Sequence, residues 1–244
     1  MGRTLILHSE TIENMQTTPL FTDTQVAQYH QNGYVVARGL IDAETALHWK
    51  ETLQARLAQE GNLAIPSGVR VWMADDIDDY TQTQVCSDRI TAALQQLIGP
   101  HVEFLSVKAV FKNGQTNFAS PWHHDWAYWK GSPKISIWIA LDPADMNNGC
   151  LRMIPGSHTS VTEMGDVDDG KGFNARIGEE AVDATRVDTL PVARGDAVFF
   201  HDLTLHASCP NPSGRDRWTA IATYRDASQP DASTVWKRSI VLAE

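Results

Sequence analysis

The chain has 244 residues, a hydrophobic fraction of 42%, a charged fraction of 20% and a formal net charge of −10. That is enough chain and enough apolar content for one domain with a sizeable core, and an acidic surface of this kind is a poor grip for a phosphate backbone, so nucleic acid is not an expected partner. No apolar run approaches the length of a spanning helix, and Met1 to Asn14 lack the basic, apolar and small-residue order of a signal peptide. Three scattered cysteines, Cys86, Cys150 and Cys209, form no Cys-x-x-Cys pair and fit reduced thiols in the cytoplasm.

Residues 1–21 read as a leader, with Met15 a second candidate start. Thr22-Asp23-Thr24-Gln25 has the form of a capping box. It opens a helix to about Asn32, which Gly33 stops, and Tyr34 to Arg38 follow as a strand. Asp42 caps the next helix, whose stripe Ala46, Leu47, Lys50, Leu53 and Leu57 runs to Gly61, with the Lys50 ammonium reaching water. Val69 to Ala74 is a strand, the acidic run from Ala74 to Asp79 a solvated loop, and Ser87 the cap of a helix to Ile98. Residues 22–100 thus form a helical layer with strands.

From His101 the pattern turns to short strands, at about 102–112, 122–129, 134–141, 150–154, 196–201, 205–209 and 217–225, with turn clusters between them. The fold class expected is mainly β with N-terminal helices, around a double-stranded β-helix, that is, a jelly-roll, cupin-like barrel over 101–226. Residues 159–190, rich in Asp, Glu and Gly, form one long insertion of the kind that serves as a lid or binding loop.

The chemistry centres on Trp122-His123-His124-Asp125-Trp126-Ala127-Tyr128-Trp129. Read as a strand, it places His123 and Asp125 on one face and His124 on the other. An imidazole and a carboxylate so placed are two thirds of a facial two-histidine, one-carboxylate iron site. His206 is the candidate third ligand, with His201 nearby as a core or rim histidine. Arg217 carries the group suited to bidentate capture of a carboxylate, Ser208 shares a face with His206, and Arg215 competes with Arg217 from a polar turn. Trp126, Tyr128 and Trp129 read first as core aromatics and second as pocket walls. His124 and His158 read as structural, and Arg176 and Arg186 as solvated loop arginines.

Asn32-Gly33-Tyr34-Val35, His123-His124-Asp125, the run from Asn148 to His158, Gly195-Asp196, His206 with Ser208, and Asn211 to Arg217 occur in one order over residues 22–226. Together they resemble the phytanoyl-CoA dioxygenase family of Fe(II)/2-oxoglutarate-dependent oxygenases. That family most often has Gln where this chain has His124. The resemblance implies that His123, Asp125 and His206 hold iron, that Arg217 and Ser208 bind the distal carboxylate of 2-oxoglutarate, and that Trp138 and Lys108 line the cosubstrate pocket. It implies a dioxygenase that uses O2, is stimulated by ascorbate, and oxidises a C–H bond of a small organic molecule with release of succinate and CO2. Asp125 argues against a halogenating branch, where the carboxylate is lost. The alternative is a cupin-like metal-dependent isomerase or metal-binding protein that does not use 2-oxoglutarate. A nucleic-acid demethylase is disfavoured by the acidic charge. The expected partner is a small-molecule substrate, with neither nucleic acid nor membrane, in a cytoplasmic monomer or homodimer.

Overall fold

The structure is a computed structural model that describes residues 19–61, 65, 67–170 and 172–243; most of the expected leader lies outside the described residues. The elements in chain order are α1 (Asp23–Asn32), β1 (Tyr34–Ala37), α2 (Ala43–Gln59), β2 (Val69–Met73), α3 (Asp79–Val85), α4 (Asp88–Ile98), β3 (Val102–Lys112), α5 (Trp126–Trp129), β4 (Lys134–Ala140), β5 (Leu151–Met153), β6 (Gly165–Asp166), β7 (Ala175–Arg176), β8 (Asp188–Leu190), β9 (Ala197–His201), β10 (His206–Ser208), β11 (Arg217–Asp226) and β12 (Ile240–Ala243).

The N-terminal helices begin where their capping chemistry puts them. Both halves of the Thr22/Gln25 capping box are formed, and the Asp42 side chain accepts the Thr45 N–H. Ser87 sits at the start of α4 but makes no side-chain cap bond. The acidic run is exposed at Asp75, Asp76 and Asp79, as its composition implies, and it also makes contacts. Asp78 caps α3, and Arg56 pairs with Asp76 at 3.1 Å and Asp78 at 3.6 Å. Lys50 is half-buried, and its ammonium lies 2.8 Å from the Asp142 carboxylate.

A seven-stranded antiparallel sheet runs β1-β9-β4-β11-β3-β12, with β2 also paired to β3. A three-stranded sheet, β10-β5-β8, faces it, and β6 and β7 form a small hairpin. This is the jelly-roll expected, with wider borders: the large sheet takes strands from residues 34–37 and 69–73 and ends on β12, for which the sequence pattern gave no signal. The 159–190 segment supplies β6, β7 and β8, and β8 extends the small sheet.

Alternation along the large sheet builds two cores. Ile135, Ile137 and Ile139 of β4, Phe199 of β9, and Trp218, Ala220, Ala222 and Tyr224 of β11 pack under the helices against Trp49, Leu53 and Leu94. The intervening Trp138, Ala140, Val198 and Phe200 point into the barrel. A period of two therefore sends Arg217 and Thr219 inward as surely as it sends Trp218 outward. Each large apolar side chain buried this way contributes about 1.5–3 kcal/mol.

The 122–129 strand is the main correction. Only single bridges form there, Trp122 to Ile177 and His123 to His206. The chain then turns into α5, with Asp125 in helical conformation at φ −67°, ψ −30°. Aromatic content favours a strand locally, but the Trp126 N–H bonds the Asp202 carbonyl at 3.0 Å and the Lys130 N–H closes on Trp126 O at 2.8 Å. Tertiary hydrogen bonding overrides the propensity.

Gly33 joins α1 to β1 at φ 83°, where a Cβ would lie 2.5 Å from His158 Nδ1 and 2.6 Å from Thr204 Oγ1. Gly33→Ala is expected to lose at least about 2 kcal/mol of stability through left-handed backbone strain and overpacking. Urea denaturation checks this; an unchanged midpoint refutes it.

Candidate active site

His123 and His206 meet through two backbone bonds, His123 N–H to His206 O at 3.0 Å and His206 N–H to His123 O at 2.9 Å. Their rings lie 4.2 Å apart, centre to centre. Each Nδ1–H donates to a backbone carbonyl, His123 to Pro121 O at 2.8 Å and His206 to Thr204 O at 2.9 Å. These bonds fix the tautomer, so both Nε2 atoms carry free lone pairs. Asp125 enters from the start of α5. Its Oδ1 lies 3.8 Å from His123 Nε2 and 4.0 Å from His206 Nε2. One ligand atom from each of the three lies within 4.8 Å of the others, and this is the one such metal-binding group among the described residues.

Burial keeps the imidazoles neutral, pushing His123 down to about 3 and His206 below its ordinary value. Burial alone raises the Asp125 carboxyl, but the Lys108 ammonium leads the causes that oppose it, and the net shift is downward. Lys108 Nζ stands 3.7 Å from Asp125 Oδ2 and 5.0 Å above the Trp129 ring. Two neutral imidazoles and one ionised carboxylate, buried and convergent, are a donor set that fits Fe(II) with positions to spare.

The triad opens onto a cavity of about 430 Å³, which Trp138, Ser208 and Arg217 also line. Arg217 is 1% exposed, no carboxylate lies within ion-pair distance of it among the described residues, and its Nε has no hydrogen-bond partner. Among the described residues its Nη1 donates to Thr219 Oγ1 at 3.2 Å, and its guanidinium carbon lies 5.5 Å from the Trp138 ring. Burial lowers its pKa to about 10. The cross-strand partner of Arg217 is Lys112, also buried. Burial, with the charge of Arg217 next, brings Lys112 down to about 7. The Lys112 ammonium donates to the Phe118 carbonyl and does not line the cavity, so Arg217 is the buried cation that faces it at the inner end of the barrel. Ser208 Oγ accepts the Ser120 N–H at 3.0 Å and keeps its own proton to give.

The competing readings separate cleanly. His201 lies outside the triad, with its ring 5.5 Å from His158. Arg215 is exposed. His124 bonds Thr162 O and the Ala127 N–H, a structural role. His158 faces His30 O, Arg176 pairs with Asp169, and Arg186 is exposed. Tyr128 and Trp129 do line the cavity, whereas Trp126 turns away to Gly131 O. Phe173, from the 159–190 segment, packs its ring 4.9 Å from that of His123, and Val235 and Trp236 close the mouth. Sequence reasoning missed all three, because none sits in a motif or at a patterned spacing.

A family model for phytanoyl-CoA dioxygenase (PhyH) matches residues 29–219. The chain belongs to the phytanoyl-CoA dioxygenase family. It is thereby a non-heme Fe(II)/2-oxoglutarate-dependent oxygenase. Among its family relatives, bovine peroxisomal phytanoyl-CoA dioxygenase is 23% identical over 93% of this chain and 75% of its own length. The L-proline trans-4-hydroxylase of Streptomyces griseoviridis is 28% identical over 66% of this chain and 68% of its own. The epimerase SnoN, solved with Fe3+, alpha ketoglutarate and nogalamycin RO, shares the fold at TM-score 0.71 and 22% identity, over 90% of this chain and 98% of that one.

Asp202, beneath α5, accepts the Trp129 indole N–H at 2.8 Å and is fully buried. Burial raises its carboxyl to about 7 from an ordinary 3.8. The folded state therefore favours its protonated form, so its contribution to stability is full below pH 4 and is lost as pH rises through about 7. Asp202→Asn keeps the acceptor for Trp129 and removes the titration. The variant is expected to gain stability relative to the parent between about pH 4 and 7, as urea midpoints at each pH measure. Parallel pH profiles count against the assignment.

Proposed function

We propose that this protein oxidises an unactivated C–H bond of a small organic molecule, most simply to an alcohol, while converting 2-oxoglutarate and O2 to succinate and CO2. His123, Asp125 and His206 hold Fe(II), which with 2-oxoglutarate and O2 supplies the equivalent that removes a hydrogen atom from carbon. One observation carries the reading: the triad shares its cavity with a buried arginine that makes no ion pair with a carboxylate among the described residues. A dicarboxylate that reaches from the metal to Arg217 satisfies both ends, whereas a cupin-like isomerase leaves the guanidinium desolvated for nothing.

The chain's own residues do the rest. The Pro121 and Thr204 carbonyls orient the two imidazoles. Lys108 keeps Asp125 ionised. Arg217 and Ser208 take the distal carboxylate of 2-oxoglutarate, with Trp138 as the wall beside the guanidinium. Phe173, Tyr128 and Trp129 shield the centre from water. The likeness to SnoN supports a place in secondary metabolism, where the same hydrogen abstraction can lead to epimerisation. No described helix is long and apolar enough to cross a membrane, and we assign the enzyme to the cytoplasm. Ascorbate is expected to sustain turnover.

The test is succinate release together with cosubstrate binding. His123→Ala is expected to lose both bound iron, read by metal analysis, and all succinate formation. Arg217→Ala is expected to retain iron and weaken 2-oxoglutarate binding by roughly thirtyfold or more, the scale of truncating one partner of a buried charge pair. Undiminished succinate release in both variants removes the mechanism.

A further inference from the structure

Building on the cosubstrate assignment above, we infer that the outer half of the cavity takes an uncharged molecule with an apolar ring, and that the C-terminal segment 227–243 is the wall that selects it. This segment lies past the 29–219 match, so family membership says nothing about it. Three sets of contacts hold it in place. Asp231 receives the Lys134 ammonium at 2.8 Å and the Ser132 N–H at 2.9 Å, and the Lys134 side chain is entirely buried. The Trp236 indole N–H donates to Ser106 Oγ at 3.1 Å. Strand β12 then pairs with the outer edge of β3. Val235 and Trp236 are thereby held at the cavity, with the Trp236 ring 5.2 Å from that of Trp129.

The chemistry of this half is one-sided. Met73, Tyr128 and Val235 are large apolar or aromatic side chains left 37%, 40% and 39% exposed, and all three line the same mouth. Soluble proteins seldom leave such groups clustered without a ligand to cover them. Val69 and Val71 of β2 continue the apolar surface inward. Among the described lining residues the lysines and arginines are Lys108, which faces Asp125, and Arg217, at the cosubstrate end. A carboxylate or phosphate on the substrate finds no free cation among these described residues and is desolvated at a cost. The Ser67 and Ser106 hydroxyls can donate to a hydroxyl or carbonyl oxygen of the substrate. The site therefore differs from one for an amino acid, whose carboxylate requires a basic partner.

The probes are 2-naphthol and 2-naphthoate, titrated by calorimetry under argon into protein loaded with Fe(II) and 2-oxoglutarate. Wild type is expected to bind 2-naphthol saturably and 2-naphthoate at least about tenfold more weakly, because the carboxylate is buried without a partner. Trp236→Ala is expected to weaken 2-naphthol roughly tenfold and Trp236→Phe to restore most of it, since a ring face is what the wall supplies. Asp231→Asn, which frees the strap, is expected to act like Trp236→Ala, with 2-oxoglutarate affinity unchanged in all three variants. Equal or tighter binding of 2-naphthoate, or intact 2-naphthol binding in Trp236→Ala, overturns the inference. If wild type binds 2-oxoglutarate but not 2-naphthol, the ring assignment fails alone. If it does not bind 2-oxoglutarate, the proposed function fails first.

Discussion

Two backbone hydrogen bonds between His123 and His206 hold the centre of this molecule together. They join a loop leading into α5 to the first residue of β10, residues far apart in the chain. Without them neither imidazole has a reason to face the other. The same peptide segments aim the rings, because each Nδ1–H is spent on a carbonyl two residues back. Position and tautomer are thus set by the backbone, which is stiffer than any side-chain contact. Asp125 is brought in by a different device, the turn into α5, and is charge-balanced by Lys108 from β3.

The barrel around this centre has opposite electrostatic character at its two ends. The inner end buries Arg217, which has no carboxylate within ion-pair distance among the described residues, beside Lys112, whose ammonium donates to the Phe118 carbonyl. Burying the guanidinium is costly, and no ion pair among the described residues offsets it. The cost makes sense in a site that a dianion completes. The outer end is walled by aromatic and aliphatic side chains from β2, α5, the 159–190 segment and the C-terminal strap. A polar cosubstrate and an apolar substrate can thus be sorted to opposite sides of one triad without a dividing wall.

The strap also accounts for an ion pair that otherwise looks wasteful. Lys134 is fully buried at the start of β4, and its ammonium is satisfied by Asp231, the Lys130 and Ser132 carbonyls and the Ser132 hydroxyl. A buried, fully bonded pair contributes more to uniqueness of position than to stability. What it positions is the turn before Trp236.

The sequence by itself marked out the helical layer, most strands of the barrel and the three candidate metal ligands that the structure brings together. Those depend on local chemistry: capping boxes, a period of two, and motifs whose order is fixed by the chain. Even Arg217 over Arg215 was legible, since Arg215 sits in the polar Ser213-Gly214-Arg215-Asp216 turn and Arg217 opens the strand that follows. Tertiary structure alone decided how Asp125 reaches the metal site, because α5 forms against the preference of its aromatic residues and is held by the Asp202 carbonyl from across the fold. It alone turned Lys50 to Asp142, and it alone brought Phe173, Val235 and Trp236 to the cavity. Those residues come from irregular segments with no periodicity to read, and their roles arise from contacts between distant parts of the chain that no local pattern encodes.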